Sequence, residues 1–138
     1  RVYGAESLRY AEGLNALGNI ELGRQNPEAA AKEFTEAADL YARLQGDESP
    51  AFANALRYLA YAQRRLGRLD ESAANYARSL AIYEKGGGDP SARISAFAGA
   101  AATTRMRVDL DRAAVFLDSA YQEAAALWEE DDTWMSRL

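Results

Sequence analysis

The chain has 138 residues, 16 basic and 21 acidic side chains, no cysteine and no histidine. Its length and its 49% hydrophobic content describe one folded domain with an ordinary core, not a disordered chain. Without Cys or His, structural zinc, iron–sulfur clusters, His- or Cys-ligated haem, disulfides, thiol chemistry and histidine bases are excluded, and a net charge of −5 argues against broad binding to nucleic acid or anionic membranes.

The chain opens on Arg1 rather than Met, and no signal-peptide pattern follows, so the expectation is a fragment or processed form of a longer protein. No apolar run approaches the roughly 20 residues of a spanning helix. A cytoplasmic location and no membrane contact are therefore expected. The 30 alanines and 14 arginines against two lysines (Lys32, Lys85) point to a GC-rich, bacterial coding genome.

Val, Ile and Thr together number only 10, while Ala, Leu, Glu and Arg dominate. Helices favour the second set and strands the first, so the fold class is all-α. Three prolines each follow an N-cap residue, as Asn26-Pro27, Ser49-Pro50 and Asp89-Pro90. The cap side chain accepts a backbone N–H, and proline at the next position loses no hydrogen bond. Asp70 and Asp111 read as two further caps. Gly46 and Gly86-Gly87-Gly88 supply stops. The reading is six helices, at about 4–23, 27–44, 50–66, 70–85, 90–107 and 111–129, with short connections that set neighbours antiparallel.

The segmentation repeats. Leu14, Leu17 and Gly18 of the first helix correspond to Leu56, Leu59 and Ala60 of the third and to Phe97, Ala100 and Ala101 of the fifth. The even-numbered helices carry a small, a bulky and a small residue: Ala30, Phe34, Ala37; Ser72, Tyr76, Ser79; Ala113, Leu117, Ala120. Small residues allow close approach and bulky ones fill the gap. Leu14, Leu59, Phe34 and Tyr76 are the expected core between repeats.

This arrangement resembles the tetratricopeptide repeat, with its W-x2-L-G-x2-Y and A-x3-F signature. Leu17-Gly18 and Ala30-x3-Phe34 match best. Glu21, Gln63 and Thr104 replace the usual tyrosine. The spacing of 42 and then 41 residues, from Leu14 to Leu56 to Phe97, resembles the longer variant of kinesin light chains and of bacterial sensor and scaffold proteins. The resemblance implies a right-handed α-solenoid of antiparallel helix pairs. Its repeats would span about 5–46, 47–88 and 89–130, with residues 131–138 beginning a fourth.

The resemblance also implies that the first helix of each pair lines a concave groove. Asn54, Arg57, Tyr61, Arg64 and Arg65 then face it from the third helix. Glu12, Asn15, Asn19 and Leu22 flank them from the first, and Ser95, Ala98, Ala102, Arg105 and Met106 from the fifth. By spacing, Arg57, Tyr61, Arg64, Arg65 and Arg68 form one stripe opposite the core side of Phe52, Leu56, Leu59, Ala60 and Leu66. Its bland alternative is a solvated face with arginines complementing the helix C-terminus. Tyr and Arg together are also the residue types of binding hot spots. Some family members clamp C-terminal carboxylates with Lys, Asn and Arg. Only Asn19 matches that clamp, with Tyr58, Ser95 and Gly99 at other clamp positions.

The small residues from Ala96 to Ala102 read first as tight packing. The acidic run Glu129–Asp132 reads as solvated or capping rather than as a cation site. Asp109 and Asp111 are explained by a turn, and Gly86–Gly88 lacks the Lys-Ser/Thr of a phosphate loop. No catalytic, cofactor or metal site is expected. The reading is a non-catalytic interaction module binding a protein or peptide, an acidic one for preference, in its groove. The alternative is a peptide- or ligand-sensing module of a larger regulator. Trp128, Trp134 and Met135 mark the C-terminal end as a place for self-association.

Overall fold

The computed structural model describes the backbone of residues 2–86 and 88–136 and the side chains of residues 7–86 and 88–129. Five helices follow one another: α1 (Val2–Gly23), α2 (Pro27–Gln45), α3 (Pro50–Arg65), α4 (Leu69–Glu84) and α5 (Pro90–Ser136). No strand occurs among the described residues. The chain forms two compact units, residues 1–104 and 105–138, and α5 contributes to both.

Local chemistry places three of the helix starts. Asn26 accepts the Ala29 N–H at 3.4 Å and Ser49 accepts that of Phe52 at 3.2 Å, each with proline at the next position. Asp89 accepts from Ser91 through both the backbone N–H (3.2 Å) and the hydroxyl (2.6 Å). Asp70 does not cap α4. That helix starts one residue earlier, at Leu69, whose side chain is buried, and Asp70 lies in its first turn. Gly67, at φ +80°, makes the turn between α3 and α4.

α1 packs against α2, α2 against α3, and α3 against α4. This is an α-solenoid of adjacent helix pairs. Leu14, Phe34, Leu59 and Tyr76 are all buried, as the repeat spacing predicts. Phe34 lies against Gly18 of α1 and stacks on Tyr58 of α3, with ring centroids 5.4 Å apart. One aromatic of the second helix therefore contacts the helices on both sides of it. Tyr76 lies one repeat on and packs against Gly99 of α5. Beside it, Ser72 donates to the Ala60 carbonyl (2.7 Å) and lies 3.2 Å from the Thr103 hydroxyl, which itself donates to the Gly99 carbonyl (2.9 Å). All of these hydroxyls are buried and satisfied, as burial of polar groups requires.

Several expectations differ from the structure. Leu17 and Phe97 are half exposed, because α1 turns Ala11, Leu14 and Gly18 inward and α5 turns Ala92, Ala96, Gly99 and Thr103 inward instead. Leu66 is half-buried at the end of α3. The sixth helix is not a separate element. α5 continues through Asp109 and Asp111, and Asp132-Thr133 also lies inside it rather than at a new start. From Ala100 to Ser136 the sequence contains neither Gly nor Pro, and aspartate costs a helix only a few tenths of a kcal/mol, about 0.7 at most. Ala113, Leu117 and Ala120 are accordingly exposed rather than filling an interhelical gap. Trp128 is 76% exposed, and the side chains of Trp134 and Met135 lie outside the described residues.

Candidate functional site

α3 carries the densest set of recognition-type side chains. Its amphipathicity comes from Phe52, Leu56, Leu59 and Ala60 on the buried side, which leaves Asn54, Arg57, Tyr61 and Arg64 on another face. These four are spaced i, i+3, i+7 and i+10, one helical stripe.

The stripe is not uniformly solvated. Arg57 is half-buried, and its Nε donates to the Tyr83 hydroxyl at 3.4 Å. That hydroxyl in turn donates to Asn54 Oδ1 at 2.5 Å. The Arg57 guanidinium also covers the Tyr58 ring, 4.6 Å from its centroid. Arg57 is therefore held between two tyrosines of different helices. Burial pushes the Tyr83 phenol above its usual range, and Arg57 draws it partly back. Tyr76 behaves in the same way, with burial dominant and Arg64 opposing it.

Arg64 is half-buried as well, and its Nε is enclosed without a hydrogen-bond partner. Its guanidinium lies 5.0 Å from the centroid of Tyr61, and that of Arg65 lies 5.9 Å from the same ring. Both distances are within reach of cation–π attraction. Tyr61 itself is 37% exposed. The result is a partly exposed aromatic ring with two arginines against it and a third, Arg57, one turn away.

Arg65 and Arg68 also reach neighbouring segments. Arg65 donates to Gln25 in the turn after α1. Arg68 lies beyond the last turn of α3 and pairs with Glu28 of α2 at 3.1 Å. The single run from Arg57 to Arg68 is thus corrected: α3 ends at Arg65, and Arg68 ties the second repeat to the first. On α1, Asn15 is half-buried with its Oδ1 unpartnered, Leu22 packs against the core around Phe34, and Glu12 and Asn19 are exposed. On α5, Ser95 and Ala98 are exposed and Ala102 is half-buried. Arg105 and Met106 belong to the second unit and are exposed there.

Tyr83 was not among the residues singled out from the sequence. It lies seven residues after Tyr76 on the same face of α4, and that repeat of the aromatic was the available signal. No group of three or more acidic side chains placed to hold a metal ion occurs among the described residues, and no described helix is long and apolar enough to cross a membrane.

The profile of the tetratricopeptide repeat matches residues 9–85. Among solved structures, the crystal structure of BtubC (BKLC) from P. vanneervenii is similar, with 25% sequence identity and a TM-score of 0.66. The similarity covers 85% of this chain and 47% of that one, so this chain spans about half the length of that relative. No curated protein matches in sequence. The profile covers more than half of the residues, including both helix pairs built around Phe34 and Tyr76, and on that match the chain belongs to the tetratricopeptide repeat family.

Proposed function

We propose that this chain is a non-catalytic module that binds a peptide or protein segment along the α3 face formed by Asn54, Arg57, Tyr61, Arg64 and Arg65, with Asn15 and Asn19 of α1 beside it. Tetratricopeptide repeats as a class mediate protein–protein interaction. The observation that carries the reading is Tyr61, a partly exposed ring with Arg64 and Arg65 at 5.0 and 5.9 Å. Arg57 is already held by Tyr83 and Tyr58, so little side-chain freedom remains to be lost on binding. Arginine forks match carboxylates, and an aromatic face suits an apolar neighbour. The ligand is therefore a segment with Asp, Glu or a C-terminal carboxylate next to an aromatic or aliphatic residue.

A peptide array that varies acidic and apolar positions independently tests this. The chain should retain peptides holding both features and not their basic or scrambled counterparts. The double change Tyr61→Ala plus Arg65→Ala should abolish retention with helical content and melting temperature nearly unchanged. Arg57 is a poorer choice for that control, because removing it disturbs the buried Tyr83 hydroxyl. Equal retention by the double variant would rule this face out.

A further inference from the structure

The second unit contains an apolar pattern that the peptide-binding reading does not use. Between Leu110 and Trp128, α5 presents Leu110, Ala114, Leu117, Tyr121, Ala124 and Trp128, spaced 4, 3, 4, 3 and 4 residues apart. That alternation is the a/d seam of a coiled coil. All six side chains are exposed, the large ones at 57% (Leu110), 70% (Leu117), 73% (Tyr121) and 76% (Trp128).

We propose that this seam pairs with the same seam of a second copy of the chain, antiparallel, about a two-fold axis level with Ser119. In that register Leu110 meets Trp128 of the other copy, Leu117 meets Tyr121, and Ala114 meets Ala124. Every layer joins an a position to a d position, as antiparallel pairing requires. The sizes are evened out, since each bulky ring faces a leucine. A parallel pair would stack Trp128 on Trp128 and Tyr121 on Tyr121, leaving wide and narrow layers along one interface. Antiparallel helices also set their dipoles head to tail.

The neighbouring positions divide. Ala113, Ala120 and Leu127 lie beside the seam on one side, and in this register Leu127 faces Ala113 of the other copy. Asp111 and Asp118 lie beside it on the opposite side, where Asp118 faces its own counterpart near the axis, so the apolar stripe widens away from that repulsion, which salt screens. Area points the same way. An aromatic side chain buries about 150–250 Å². With Tyr121 and Trp128 three-quarters open, and Leu110, Leu117 and Leu127 beside them, two copies together cover roughly 1,000 Å², about what a specific interface needs. Val115 and Phe116 fall outside the seam.

The chain has no cysteine, which makes the register directly testable. Ala114→Cys and Ala124→Cys are prepared separately, one carrying a mass tag, then mixed and oxidised. The expected product is the mixed disulfide between the two variants, with little cross-linking of either alone. Self-linked Ala114→Cys or Ala124→Cys dimers as the main product would overturn the antiparallel register. Sedimentation of the unmodified chain over a concentration series should show a monomer–dimer equilibrium, and a strict monomer throughout overturns the proposal. Leu117→Glu should weaken the dimer by about tenfold or more. Phe116→Ser, at a more exposed residue outside the seam, should leave it unchanged. An equal loss from Phe116→Ser would mean unspecific apolar association and would also overturn it.

Discussion

Tyr76 occupies the space that a side chain at position 99 would need: a Cβ on Gly99 would lie 2.3–2.5 Å from the Tyr76 ring and hydroxyl. The same relationship holds one repeat earlier, where a Cβ on Gly18 would lie 2.5–2.9 Å from the Phe34 ring. Helix-to-helix distance at both levels is set by a glycine under an aromatic. Tyr76 is only 2% exposed and cannot swing aside. Gly99→Ala should therefore destabilise the fold. Overpacking costs about 1–3 kcal/mol, and the helix-propensity gain of about 1 kcal/mol offsets only part of it. Gly13→Ala, with nothing within 4 Å, should gain up to about 1 kcal/mol. Urea unfolding of the two variants should move in opposite directions.

Phe34 is fully buried between α1 and α3. Phe34→Ala removes its ring from both contacts at once and should cost about 3–5 kcal/mol. A loss under about 1 kcal/mol in urea unfolding would mean that the site collapses freely, contrary to the close packing at Gly18.

Alkaline pH should unfold the chain earlier than the number of its tyrosines alone predicts. Burial raises the phenol pKa of Tyr41, Tyr76 and Tyr83 above their ordinary value. A group whose folded pKa is raised contributes stability that is complete below its unfolded value, about 10 for tyrosine, and is lost as pH rises through the folded value. Melting temperature should thus fall as pH climbs above about 10. Tyr83→Phe should flatten that fall, at the expense of the hydroxyl that joins Asn54 to Arg57.

The peptide binding proposed at Tyr61 should weaken as salt rises. Arg65 and Tyr61 are exposed, and exposed charges are screened beyond about 8–10 Å at physiological ionic strength. Titrations at low and high salt should differ mainly in the acidic peptides. Affinity independent of salt would assign the contact to the Tyr61 ring alone.

Much of this was legible from local chemistry. Asn26-Pro27, Ser49-Pro50 and Asp89-Pro90 locate three helix starts because a cap and its proline act within four residues of chain. The spacing Ala30-x3-Phe34 and Ser72-x3-Tyr76 puts the right aromatics into the core, because helical period alone decides which face they occupy. Asp111 carries the same capping chemistry and starts nothing. A capping side chain offers a helix end without forcing one, and among the residues around it nothing breaks the backbone hydrogen-bond ladder. The arginine stripe divides for a similar reason. Spacing puts Arg57 and Arg68 on one line, but only the folded chain shows that α3 ends at Arg65, so that Arg68 reaches Glu28 while Arg57 reaches Tyr83, 26 residues away. Sequence period determines the face of a helix. Which charges on that face stay open is decided by the helix that packs against it.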